Sequence, residues 1–120
     1  MDEFLILMRL DLITREAQPS PEQMQVYMQQ YHDWVGGIAA RNQFVGGTSL
    51  SFEGKVIRHD HVIMDGPYAE TKESLAGFVI IKAKDLEEAA GFAKDCPILA
   101  GAGNSVEVRK ITGGHQKPGA

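Results

Sequence analysis

Asp65, Tyr68, Lys72 and Glu73 fall close together in the run Met64-Asp65-Gly66-Pro67-Tyr68-Ala69-Glu70-Thr71-Lys72-Glu73. A carboxylate, a phenol, an ammonium and a second carboxylate at that density suit proton transfer on a small substrate. Asp65 can serve as general base or acid if burial lifts its pKa toward neutrality. Tyr68 offers a wall with a hydroxyl donor. Lys72 offers a cation to an anionic group, and Glu73 rims the same space. His32 is the partner such a carboxylate needs, because neutral imidazole and carboxylate exchange protons near pH 7. A structural reading of the same residues stays open. Asp-Gly-Pro favours a turn: Gly66 permits unusual backbone angles, and Pro67 biases it toward an extended conformation while removing a donor. Asp65 then caps the turn, Glu70, Lys72 and Glu73 form a solvated ion-paired rim, and His32 lies at the solvent edge of a helix.

Other reactive side chains point to less. His59 and His61 flank Asp60, and on a strand both would project from one face, as metal ligands do. Two ligands do not make a site, and no metal is expected. Cys96 precedes Pro97 with no paired histidine, so it reads as buried and inert. A single cysteine rules out an internal disulfide and a thiolate cluster. The glycine pairs Gly36-Gly37 and Gly46-Gly47 match neither a phosphate loop nor a dinucleotide fingerprint. No cofactor is expected.

Between the run at His61–Met64 and the apolar run at Phe78–Ile81 lie roughly a dozen residues, where a hairpin needs only about two to five. The connection is therefore long enough to carry a site. The flanking elements must position it. Phe4-Leu5-Ile6-Leu7-Met8 suits a strand covered on both faces. Ser20, Pro21 and Gln23 announce a helix with a capping box. Met24, Met28, Tyr31, Val35 and Ile38 follow on one face, widened by Tyr27 and Trp34, and the helix is expected to end near Arg41-Asn42. Gly46-Gly47 marks a turn or a close backbone approach. Strand material is expected at Thr48–Phe52, Lys55–His59 and His61–Met64. Asp85 caps a second helix that Pro97 stops, and Val106, Val108 and Ile111 make a last strand. Residues 1–112 read as one domain and 113–120 as a loose polar tail.

That order is the split βαβ, ferredoxin-like α+β arrangement, βαββαβ, with two helices on one face of an antiparallel sheet. Runs apolar at successive positions place hydrophobic side chains on both sheet faces. With no chain left over, a second copy is the expected cover, giving a homodimer joined through its sheet faces.

A net charge of −4 over 120 residues, with no Lys/Arg cluster, argues against nucleic acid or an anionic membrane as an obligatory partner. No apolar run approaches a membrane span. Asp2 and Glu3 stand where a secretion signal would be positive. A cytoplasmic protein is expected.

The stretch MDGPYAETKESLAGFVIIKAKDLEEAAGFAKDCP resembles the signature region of YCII-like proteins of the DGPF type, and the likeness runs from about Gly46 to Ile111. Tyr68 stands where the motif has Phe, which adds a hydroxyl. The resemblance implies a dimeric α+β barrel of ferredoxin-like subunits and a His–Asp acid/base pair, for which Asp65 and His32 are the candidates. Related barrels include monooxygenases and lactone isomerases holding small substrates between sheet and helices, and some members accompany alternative sigma factors. The expected function is binding of an unidentified small molecule, with cofactor-independent catalysis by Asp65 and His32. The alternative is a non-catalytic ligand-binding or regulatory module.

Overall fold

The computed structural model describes residues 1–11, 20–51, 53–66 and 74–113. Strand β1 (Asp2–Leu10) leads to helix α1 (Pro21–Ala40), then strands β2 (Phe44–Ser49), β3 (Gly54–Ile57), β4 (Ile63–Gly66) and β5 (Ser74–Ala83). Helix α2 (Leu86–Ala93), a 3-10 turn (Pro97–Ala100) and strand β6 (Ser105–Lys110) complete the order. Strands β2, β5, β1 and β6 form one sheet in that spatial order, with every pairing antiparallel. This is the ferredoxin-like topology. Among the described residues strands β3 and β4 pair only with each other, as a separate ribbon inserted between β2 and β5. No helix among the described residues is long and apolar enough to cross a membrane.

Alternation along β1 decides the layering. Phe4, Ile6 and Met8 are at most 2% exposed and join Val79, Ile81, Ile38, Ala89 and Ala93 in one core, so both helices pack on this face. Leu5 and Leu7 point the other way. They pair with Ile80 and Phe78 on one side and with Arg109 and Glu107 on the other. All four apolar side chains of that band remain partly exposed.

Helix α1 starts as its residues dictate. Ser20 accepts from the Gln23 amide at 3.1 Å, and the Gln23 side chain accepts from the Ser20 amide at 2.8 Å. It ends in a Schellman turn: Asn42 adopts φ 59°, and the Asn42 and Gln43 amides donate back to Ala39 and Ile38. Met24, on the first turn, is 43% exposed, so the buried stripe begins at Tyr27. Trp34 donates its indole N–H to the Phe92 carbonyl at 2.9 Å, which ties α1 to the end of α2. Asp85 caps α2 by accepting from the Glu88 amide.

Two strand expectations shift. The strand predicted at Thr48–Phe52 begins earlier, at Phe44, and contains both glycines. Gly47 belongs there because β2 crosses β5 closely: an added Cβ would lie 2.5 Å from the Phe78 carbonyl oxygen. The strands predicted through His59 and from His61 stop short of both histidines. Arg58–His61 is instead the ribbon's turn, in which the His61 amide donates to the Arg58 carbonyl and His61 takes φ 65°. His59 and His61 therefore share a tight turn, not one face of a strand. Gly113 ends the described chain, and the rest of the expected tail, 114–120, lies outside the described residues.

Candidate small-molecule site

A cleft opens between α1 and the sheet at the end where β1 finishes and β5 begins. Tyr27 and Tyr31, four residues apart, place both rings on one face of α1. Together with Met28 they form one wall; Met8, Ser49 and Ala76 form the other. Ala76 is the extra residue of a β-bulge, since Met8 pairs with Gly77 and Arg9 with Leu75. Bulges re-aim side chains beside sites in this way. The cleft holds about 30 Å³, near one water's share of liquid volume. Met8 and Met28, on facing walls, have flexible, unbranched side chains. A broader depression of about 460 Å³ lies on the other side of α1, between Gln30, Asp33 and residues 94–100, but it is open and rimmed by ordinary surface charge.

The electrostatics favour hydrogen-bond donors over ionised groups. Burial, helped by the neighbouring Cys96 and Tyr31, pushes the Tyr27 phenol up to about 12. Burial and Cys96 also raise Tyr31. Both phenols keep their protons at neutral pH. Cys96 is 3% exposed and its thiol is raised by burial, against a backbone hydrogen bond at Ile98 that lowers it, so it is no nucleophile at neutral pH. The sign for stability follows from Tyr27. An unfolded phenol ionises near pH ~10, while the folded one holds its proton to about 12. Its contribution is fully present below pH ~10 and is lost as pH rises toward 12. Tyr27→Phe should flatten the fall of the urea midpoint across that window. An equally steep fall in the variant would show that Tyr27 carries no linkage.

Ser74 is the polar group that stands out. It pairs with Leu10, continuing the helix-covered face of Phe4, Ile6, Met8 and Leu10, and is 5% exposed. Among the described residues its hydroxyl has no hydrogen-bond partner. Buried Gln43 shows the usual outcome: its amide donates to the Lys82 carbonyl and the Glu88 carboxylate, both at 2.9 Å. Ser74 also directly follows residues 67–73 of the Asp-Gly-Pro stretch.

The predicted acid/base residues stand elsewhere. Asp65 lies in β4 opposite Lys55, whose ammonium donates to it at 2.6 Å, and its side chain is 89% exposed. The expectation that it turns into a cavity between sheet and helix is not met within one chain, because the ribbon carrying it is not part of the main sheet. His32 is exposed on α1, its ring 6.0 Å from that of Tyr31. The described contacts do not join the two. Tyr68, Lys72 and Glu73 lie outside the described residues. Among the described residues no group of three or more His, Cys, Asp or Glu gathers as metal ligands do. Sequence reasoning passed over Tyr27, Tyr31, Ser49 and Ser74. The available signal was two tyrosines on a buried helical stripe, since a buried phenol brings a hydroxyl that must be placed.

A solved structure of 5-chloro-2-hydroxyhydroquinone dehydrochlorinase (TftG) from Burkholderia phenoliruptrix AC1100, in complex with 2,5-dihydroxybenzoquinone, is similar over 93% of this chain and 95% of that one, at 19% identity and TM-score 0.49. An uncharacterised protein of Rhizobium meliloti (strain 1021) is 43% identical over 58 residues, which are 46% of this chain. That match spans about half of the relative's length, 47%. The model of the YCII-related domain matches residues 8–112, most of the sequence, and the chain belongs to that family.

Proposed function

We propose that this protein binds a small molecule between α1 and the sheet, as a homodimer joined through its sheet faces and without a cofactor. The observation that carries the reading is the Ser74 hydroxyl, buried without a partner on the face that bears the Tyr27–Tyr31 cleft. A buried donor left unpaired costs about 1–3 kcal/mol, and a ligand's polar atom is what would repay it. Apolar walls, the Tyr27, Tyr31 and Ser49 hydroxyls of the cleft and the Ser74 hydroxyl on the same face suit a compact, mostly apolar molecule bearing a carbonyl or hydroxyl group. The homodimer is supported by the apolar band Leu5, Leu7, Phe78 and Ile80, on the sheet face away from both helices.

Catalysis is a second reading, favoured by one contact. The His32 ring lies against Tyr31, a wall of the cleft, so the imidazole stands beside the ligand space. In this reading His32 and Asp65 exchange the proton, and Tyr68, Lys72 and Glu73 hold the substrate. Asp65 must exchange its Lys55 partner for the imidazole, a small cost for an exposed pair worth about 0–1 kcal/mol.

One experiment tests both readings. Small aromatic and carbonyl compounds are screened by ligand-observed NMR, and hits are measured on Ser74→Ala and Tyr31→Phe. Ser74→Ala should leave stability unchanged or slightly raised while weakening hits about tenfold, the loss of one hydrogen bond worth ~1.4 kcal/mol. Hits that bind both variants as they bind wild type would sink the site. Turnover of a hit, abolished by Asp65→Asn or His32→Gln with the fold intact, selects the enzyme; binding without turnover selects the module.

A further inference from the structure

The β3–β4 ribbon poses a question that the cleft does not answer. A lone two-stranded ribbon is marginal in water, and this one carries its apolar residues outward. Ile57 and Ile63, directly paired, are 65% and 63% exposed, and Val62 and Met64 are 48% and 40% exposed on the other face. Alternation puts the Lys55–Asp65 pair on the same face as Ile57 and Ile63. That face thus presents two isoleucines beside one ammonium and one carboxylate.

The uncovered sheet face also sets apolar side chains beside charges. On its β1–β6 side Leu5 pairs with Arg109 and Leu7 with Glu107, and Arg9 follows on the same face, so two leucines lie beside two guanidiniums and one carboxylate. Glu107 is held by Arg9 at 3.0 Å and by Arg109 at 3.5 Å, and the Arg109 side chain is 70% exposed, so the patch carries a surplus of positive charge. We infer that the ribbon is an arm that docks on the sheet of a second copy of this chain. Ile57 and Ile63 cover the leucines of the second copy, and Asp65 meets its exposed Arg109 guanidinium.

A two-fold axis makes the exchange mutual: each copy gives one ribbon and receives one, which covers both apolar surfaces at once and closes the assembly. The positive patch fixes the ribbon's direction on the sheet, because reversing it would set Lys55 against the guanidiniums. The inference rests on the homodimer proposed above and adds the element that holds it.

The test is sedimentation velocity on the full chain, with far-UV circular dichroism to check each variant's fold. Ile57→Asp with Ile63→Asp should weaken the dimer by about a hundredfold, as loss of a buried apolar anchor does. Asp65→Lys and Arg109→Glu should each weaken it about tenfold, and the combined reversal should recover most of that loss. Ribbon variants that dimerise as wild type does, while Phe78→Asp yields monomers, overturn the arm and leave the sheet-face dimer standing. No recovery in the double reversal overturns the charge pairing. A wild type that is monomeric at about 100 µM, a concentration at which a Kd of about 1 µM would give mostly dimer, overturns both the arm and the homodimer.

Discussion

Gly77→Ala is expected to lower stability by about 1–3 kcal/mol, the range for overpacking a close contact, and to displace the walls of the cleft as it does so. A Cβ at position 77 would lie 2.7 Å from the Thr48 carbonyl oxygen, 3.0 Å from the Met8 methyl and 3.1 Å from the Ser49 Cα. Backbone cannot yield as a side-chain end can, so β2 must move away from β5. Met8 and Ser49 are cleft walls, which couples the strain to the site. Urea denaturation reads the first effect, and the binding of any hit from the screen reads the second. A variant as stable as wild type would mean that β2 and β5 run farther apart than this geometry has them.

Phe4→Ala and Leu5→Asp should differ sharply although the residues are adjacent. Phe4 is 1% exposed, at the centre of the core, and truncating it should cost about 3–5 kcal/mol. That cost should be the same at every protein concentration. Leu5 lies on the other face, partly exposed, beside Ile80 and Arg109. Leu5→Asp should leave the single chain folded and weaken self-association, so that the melting temperature no longer rises with protein concentration. Melts at two concentrations, with sedimentation, check both variants. A Leu5→Asp protein that remains dimeric would mean that the leucine face is not the interface.

Some of this was legible in the residues because it is local. Ser20, Pro21 and Gln23 specify the start of α1 through hydrogen bonds that span three residues, and Asp85 specifies the start of α2 in the same way. The apolar runs at Phe4–Met8 and Phe78–Ile81 identify central strands, and their two-sided character follows from period two alone. Boundaries set by a neighbouring strand were harder to see. Gly46-Gly47 reads equally as a turn or a close approach until β5 is placed beside it.

The candidate site divides along the same line. Residue types and spacing singled out Asp65 and His32 as chemistry, but could not say what each faces. Asp65 faces Lys55 because β3 and β4 pair in one particular register, and the ribbon stands apart because its strands bond to each other and not to the sheet. Tyr27, Tyr31 and Ala76 converge because α1 crosses the bulged end of β5, a meeting of segments more than forty residues apart. Sequence alone determined the family, the element order and the helix caps, since those depend on short-range bonds and on the period of the pattern. Only the tertiary structure decided which hydroxyls share a cleft and which apolar surfaces stay uncovered, because burial is a property of what the rest of the chain places nearby.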